Sequence, residues 1–221
     1  VVCVTANHDS ARRPSPRPRP RPAQTGVTCP RRQPLRKRSA AHGARTPGDP
    51  VCHHVLVTDP CRECGFAYDL RQAATAGDDV RARVAEVVTI LCDNTIDVRS
   101  RPRDGVWSPL EYGCHLRDVL LVQRERVLAA RRTNGADCVS MGREDRAVHD
   151  GYNEQEPGTV ARQLADAALL FGNVLARLTT ADWDRTVVYH YPVTAERSLR
   201  WVAVHTAHEA QHHLLDIRRQ L

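Results

Sequence analysis

The chain has 221 residues, 41% of them hydrophobic, and a formal net charge of +6, which suits one domain of ordinary size with a tail. The positive charge sits at one end: residues 1–50 hold 11 Arg and Lys against Asp9 and Asp49, and the remainder carries a small negative excess. A basic nucleic-acid-binding domain is therefore excluded for most of the chain, and apolar runs such as Val119–Val122 are far too short for a transmembrane helix.

Residues 1–58 read as a disordered Arg/Pro-rich tail. Pro14 to Pro22 alternates proline with Ser or Arg, a pattern that favours extended polyproline II, repels itself and offers nothing to bury. Contact with nucleic acid is expected only through this tail. Eight cysteines without a signal-peptide-like segment predict a cytoplasmic protein with free or metal-bound thiols. The domain proper spans 59–221 and opens on Cys61-Arg62-Glu63-Cys64-Gly65-Phe66, which resembles half of a zinc site. Cys52, His53 or His54 could complete it, and a redox pair or two free thiols are the alternatives.

Apolar periodicity predicts a first helix over Val80–Ile96. Ser108, Pro109 and Glu111 form an N-terminal capping signature for a second helix that runs to about Arg132. Residues 133–157 are polar and glycine-containing, a long connection with at most short helical turns. Leu164, Ala168, Phe171 and Leu175 mark a third helix over Thr159–Leu178. Thr186–Tyr191 is a short β-like run, and Arg197–Leu221 is the fourth helix. The fold class is all-α, a four-helix bundle.

The chemistry concentrates in the last helix, at His208-Glu209-Ala210-Gln211-His212. Positions i and i+4 share a helix face, so both imidazoles can reach one metal ion. The H-E-x-x-H spacing also fits a zinc protease with the Glu as base. No histidine follows His213, however, so a third ligand has to come from upstream. At about 100° per residue, Trp201, His205, His208, His212 and Leu215 share one stripe, expected to face the bundle interior. Three imidazoles there are expensive to bury unless their nitrogens are satisfied, which coordination would do. His115 in the second helix supplies a third ligand from across the bundle. His205 could serve as an outer contact, a substrate contact or a fourth ligand. Glu209 sits at the stripe's edge, as a base, an orienting group or a solvated side chain, and His213 is expected at the edge as well.

Trp107-Ser108-Pro109-Leu110-Glu111-Tyr112 followed by His115, then His208-x3-His212 with the trailing His213, resembles the DinB/YfiT superfamily over residues 59–221. The CxxCGF start is similar to that of its actinobacterial members. The resemblance implies a four-helix bundle with zinc or nickel held by His115, His208 and His212. Relatives include mycothiol-dependent maleylpyruvate isomerase and bacillithiol transferases. It therefore implies an enzyme that activates a low-molecular-weight thiol of the mycothiol type against a small-molecule electrophile, with a homodimer as an assembly. Glu209 and His205 would be the catalytic residues, and Arg117, Tyr152 and Asn153 would line the cofactor-binding mouth, with Tyr189 and Arg197 near it. The alternatives are a metal-dependent hydrolase with Glu209 as base, or a stress-associated metal-binding protein without catalysis.

Overall fold

A computed structural model describes residues 60–190 and 193–221. The expected disordered tail and the candidate ligands Cys52, His53 and His54 lie outside the described residues. Among the described residues there are five α-helices: α1 (Ala76–Leu91), α2 (Pro109–Arg132), α3 (Arg143–His149), α4 (Pro157–Leu175) and α5 (Leu199–Arg218). Three short strands, β1 (Ala136–Cys138), β2 (Thr186–Tyr189) and β3 (Ala195–Ser198), form a small sheet in the order β1-β2-β3. β2 runs parallel to β1 and antiparallel to β3. The architecture is all-α in its bulk, as expected.

Each long helix forms where its apolar side chains recur at helical spacing. In α1 the buried set is Val80, Val84, Val87 and Leu91; in α4 it is Val160, Leu164, Ala168, Phe171 and Leu175. These faces meet in one core with Leu110, Leu116, Leu120, Leu199, Leu214 and Ile217. α1 packs against α4 and α5, and α2 packs against the same two helices, so α1 and α2 lie diagonally across the bundle. The helix backbones approach closely where α1 crosses α4. A Cβ on Gly77 would stand 3.2 Å from the Cα of Gly172.

Helix boundaries follow local hydrogen bonding. The first helix stops at Leu91 rather than Ile96, because Asp93 Oδ1 accepts from both the amide and the hydroxyl of Thr95 and closes a turn. The fourth long helix starts at Leu199, because residues 195–198 pair with β2, and Ser198 Oγ then accepts from the Trp201 amide as its cap. Within 133–157, β1 and the short helix α3 replace an irregular connection. No helix among the described residues is long and apolar enough to cross a membrane.

The start of α2 is the most strongly built terminus. The Ser108 hydroxyl oxygen accepts from the Glu111 amide at 3.2 Å, and Glu111 Oε2 accepts from the Ser108 amide at 2.8 Å. Glu111 is 1% exposed and also pairs with the Arg101 guanidinium. Burial pushes its carboxyl up, but Arg101 and the Ser108 amide outweigh this and hold it below the usual glutamate range. A carboxyl lowered on folding stabilises the fold above its unfolded value, and that contribution disappears as pH falls through the folded value. Glu111→Gln should therefore lower stability by about 1–3 kcal/mol at neutral pH. In denaturant titrations the gap to the native chain should close as the pH is taken below the ordinary glutamate range.

Candidate metal centre

Two overlapping i, i+4 pairs lie on α5: His208 with His212, and Glu209 with His213. They are offset by one residue, or about 100° around the axis, so they serve different surroundings. The Glu209/His213 pair faces inward, where His213 is 8% exposed and meets His115 of α2, itself 2% exposed. His208 and His212 face residues 61–68, which fold over that side of α5. The stripe expected to face the interior is thus half-buried beneath Phe66 and Tyr68, whose rings pack on His208 at 5.4 and 5.2 Å between centroids.

In the inner group, ligand atoms of His115, Glu209 and His213 all lie within 4.8 Å of one another. His213 Nε2 is 3.5 Å from Glu209 Oε2, while its Nδ1 donates to Asp216 Oδ2 at 3.1 Å. The rings of His115 and His213 meet edge to face at 4.9 Å, and Trp107 packs on His115 at 5.1 Å. His115 Nδ1 is buried without a hydrogen-bond partner among the described residues. Burial, reinforced by positive charge on His213, pushes the His115 imidazole down to about 3. Burial acts the same way on His213, but the carboxylates of Asp216 and Glu209 outweigh it and raise that ring to about 9. Glu209 is half-buried, which disfavours its charge, yet hydrogen bonding to His208 and His213 holds its carboxyl well below the usual range.

The outer group brings Cys61, Cys64, His208 and His212 within the same 4.8 Å limit. Cys61 Sγ lies 3.7 Å from His212 Nδ1. Burial disfavours the Cys61 thiolate, but the amides of Cys64 and Glu63 and the imidazoles of His208 and His212 bring it down to about 6. Burial raises Cys64. Tyr68 lies between the groups, its hydroxyl 2.9 Å from His205 Nδ1 and 2.8 Å from His208 Nδ1.

A family model described as the DinB superfamily matches residues 76–217. The chain belongs to the DinB superfamily. The match covers α1 to α5 and leaves out the Cys61–Cys64 segment. Among solved structures the chain is similar to YfiT from Bacillus subtilis, described as a probable metal-dependent hydrolase with an unusual four-helix bundle topology. The TM-score is 0.58 at 16% identity, over 68% of this chain and 85% of that one. At that identity the likeness shows the fold. A comparison with curated proteins finds no match.

Within this DinB bundle the three expected ligands part company. His115 groups with Glu209 and His213, whereas His208 and His212 group with the cysteines. His205 is stacked on Trp201 at 4.4 Å, and burial lowers it to about 4. Its Nε2 points toward Glu209 Oε1 at 3.8 Å. The residues expected at a cofactor mouth are occupied internally. Tyr152 is fully buried and its hydroxyl donates to Asp118 at 2.6 Å. Asn153 accepts from Ser108 Oγ and donates to the Arg99 carbonyl. Arg117 pairs with Asp118 and donates to Gln155 and Gln163. Tyr189 meets Gln123 and Arg126, and Arg197 lies over Trp201. Cys114 is buried against the Tyr152 carbonyl, its thiol pushed up to about 12 by burial, away from both groups.

Tyr68, His213 and Asp216 are the members that sequence reasoning missed. The available signal was the second i, i+4 pair, Glu209 with His213, and the Asp three residues beyond it. Tyr68→Phe would leave one buried nitrogen of each of two imidazoles without its partner. It should cost about 1–3 kcal/mol in chemical denaturation.

Proposed function

We propose that the protein is a divalent-metal-dependent hydrolase whose cation is held by His115, Glu209 and His213 between α2 and α5. The observation that carries this reading is the convergence of two buried imidazoles and one carboxylate from two helices, with a buried His115 nitrogen lacking a partner. A set of two imidazoles and a carboxylate leaves coordination positions open and suits zinc, nickel or iron. When bound there, a divalent cation supplies a Lewis acid and makes water a nucleophile at neutral pH.

The chain's own residues have separable parts in this reading. Asp216 accepts a hydrogen bond from the Nδ1–H of His213, which fixes the tautomer and turns Nε2 inward. Glu209, held ionised among three imidazoles, is a poor proton acceptor and a good ligand. It acts here as a ligand, not as the base that H-E-x-x-H would assign. Trp107 and Tyr112, packed on His115 and His213, close the inner side of the site against water. The description of YfiT as a probable metal-dependent hydrolase supports the same reading. A mycothiol-type thiol attacking an electrophile would use the same three ligands, with the thiol in place of water.

Metal-loaded full-length protein should hydrolyse members of a panel of esters, amides and phosphoesters. His115→Ala and His213→Ala should each lower metal affinity and kcat/KM by at least about 100-fold, more than loss of an outer partner costs. Glu209→Gln separates ligand from base: weakened metal binding supports the ligand role, and full metal with lost turnover supports the base. Unchanged metal content in all three variants would overturn the site. Turnover only when mycothiol and an electrophile are supplied would replace hydrolysis with thiol transfer.

A further inference from the structure

We propose that Cys61, Cys64, His208 and His212 form a second metal site, a tetrahedral Cys2His2 zinc clamp that fastens the CxxC segment to the outer face of α5. It is independent of the hydrolase reading, since the two sites share no ligand.

The cysteine turn is shaped for the task before any metal arrives. The Gly65 amide donates to the Cys61 carbonyl at 2.8 Å and the Cys61 amide donates to the Phe66 carbonyl at 2.9 Å, closing a tight loop. Gly65 has φ +70°, a conformation that favours glycine, and so lets the chain turn directly after the second cysteine. Cys61 and Cys64 are free rather than joined in a disulfide.

The imidazoles are equally prepared. His208 Nδ1 is engaged by the Tyr68 hydroxyl at 2.8 Å, and its Nε2 is buried without a hydrogen-bond partner among the described residues. His212 turns Nδ1 to Cys61 Sγ at 3.7 Å, close to the ligand–ligand separation of about 3.6 Å that tetrahedral zinc–sulfur and zinc–nitrogen bonds require. Its Nε2 lies 3.7 Å from the carboxylates of both Glu63 and Asp216. Each ring therefore has one nitrogen turned to an outer partner and the other available, the pattern of metal-bound histidine. Gln211 Nε2 donates to the Cys64 carbonyl and Phe66 covers His208, so the segment is seated on α5 by more than the four ligands.

Charge and protons balance. Zinc displaces one proton from each thiol to solvent, and two thiolates with two neutral imidazoles then neutralise the cation. A redox role for the cysteine pair would leave His208 Nε2 without purpose. The residues fall on both sides of the family boundary: the histidines lie within 76–217 and the cysteines outside it.

The test uses cobalt-substituted full-length protein and zinc analysis. The native chain should show a thiolate-to-cobalt charge-transfer band and intense tetrahedral ligand-field bands. Zinc should protect Cys61 and Cys64 from a thiol reagent, with chelation restoring their reactivity. Cys61→Ser with Cys64→Ser should abolish the charge-transfer band and remove about one equivalent of zinc. His115→Ala should keep both, which separates failure of this site from failure of the inner one. A native chain without the charge-transfer band, thiols that react equally fast with and without zinc, or a Cys61–Cys64 disulfide under reducing purification would each overturn the proposal. The native-protein readouts decide the matter even if the cysteine variant fails to fold.

Discussion

A helix turns by about 100° per residue, and that angle governs what α5 can do. His208 and Glu209 are chemical neighbours in sequence but face different partners, as do His212 and His213. Advancing four residues returns each to its own stripe, so the segment carries two ligand pairs on adjacent stripes. Asp216 sits where the stripes can both be reached, 3.1 Å from His213 Nδ1 and 3.7 Å from His212 Nε2. One carboxylate thus hydrogen-bonds a ring of the inner group and lies near a ring of the outer one.

Such a polar helix face would be costly to bury alone. An isolated ionised carboxylate in the interior is strongly disfavoured, and a buried imidazole with open nitrogens is disfavoured to a lesser degree. Here the groups compensate one another. Glu209 lies 3.8 Å from His205, 3.6 Å from His208 and 3.5 Å from His213, so its charge is met on several sides. The surrounding framework is apolar and rigid. Leu214 and Ile217 follow the site on α5, Leu116 and Leu120 lie beside it on α2, and all four are buried. His115 stays neutral because its surroundings disfavour charge, and a neutral imidazole is the ligating form.

How much of this was legible follows from the same geometry. All four long helices and the Ser108 cap were visible, because capping residues and helical periodicity are local signals. The assignment of stripes was not. His208/His212 and Glu209/His213 are equivalent as patterns, and which pair faces inward depends on what covers the other. That cover is Phe66 and Tyr68, supplied by a segment about 140 residues away in sequence, and nothing in the helix itself announces it. Glu209 also looked like a base because of its spacing, whereas its charge state depends on three neighbours brought in by folding. The β3 strand was hidden for a similar reason: Ala195–Ser198 has no strong propensity and becomes extended only by pairing with β2. Tyr152 and Asn153 were expected at a cofactor-binding mouth because a family resemblance cannot show that their partners are internal.

The two groups are also joined through protons. A phenol has one hydrogen to give, so Tyr68 donates to one of the two Nδ1 atoms it touches and accepts from the other. With His208 ligating through Nε2, its proton must sit on Nδ1 and be donated to Tyr68. The Tyr68 hydrogen then goes to His205 Nδ1, which places the His205 proton on Nε2, the nitrogen facing Glu209 Oε1 at 3.8 Å. Loss of a ligand at the outer group frees His208 to take the other tautomer, and the chain of donors can reverse. The proton aimed at Glu209 is then withdrawn, and a ligand of the inner group faces a lone pair instead of a donor. Under the proposed Cys2His2 site, the CxxC segment, which lies outside the region matched by the superfamily, would set the direction of the two Tyr68 hydrogen bonds without itself touching His115, Glu209 or His213.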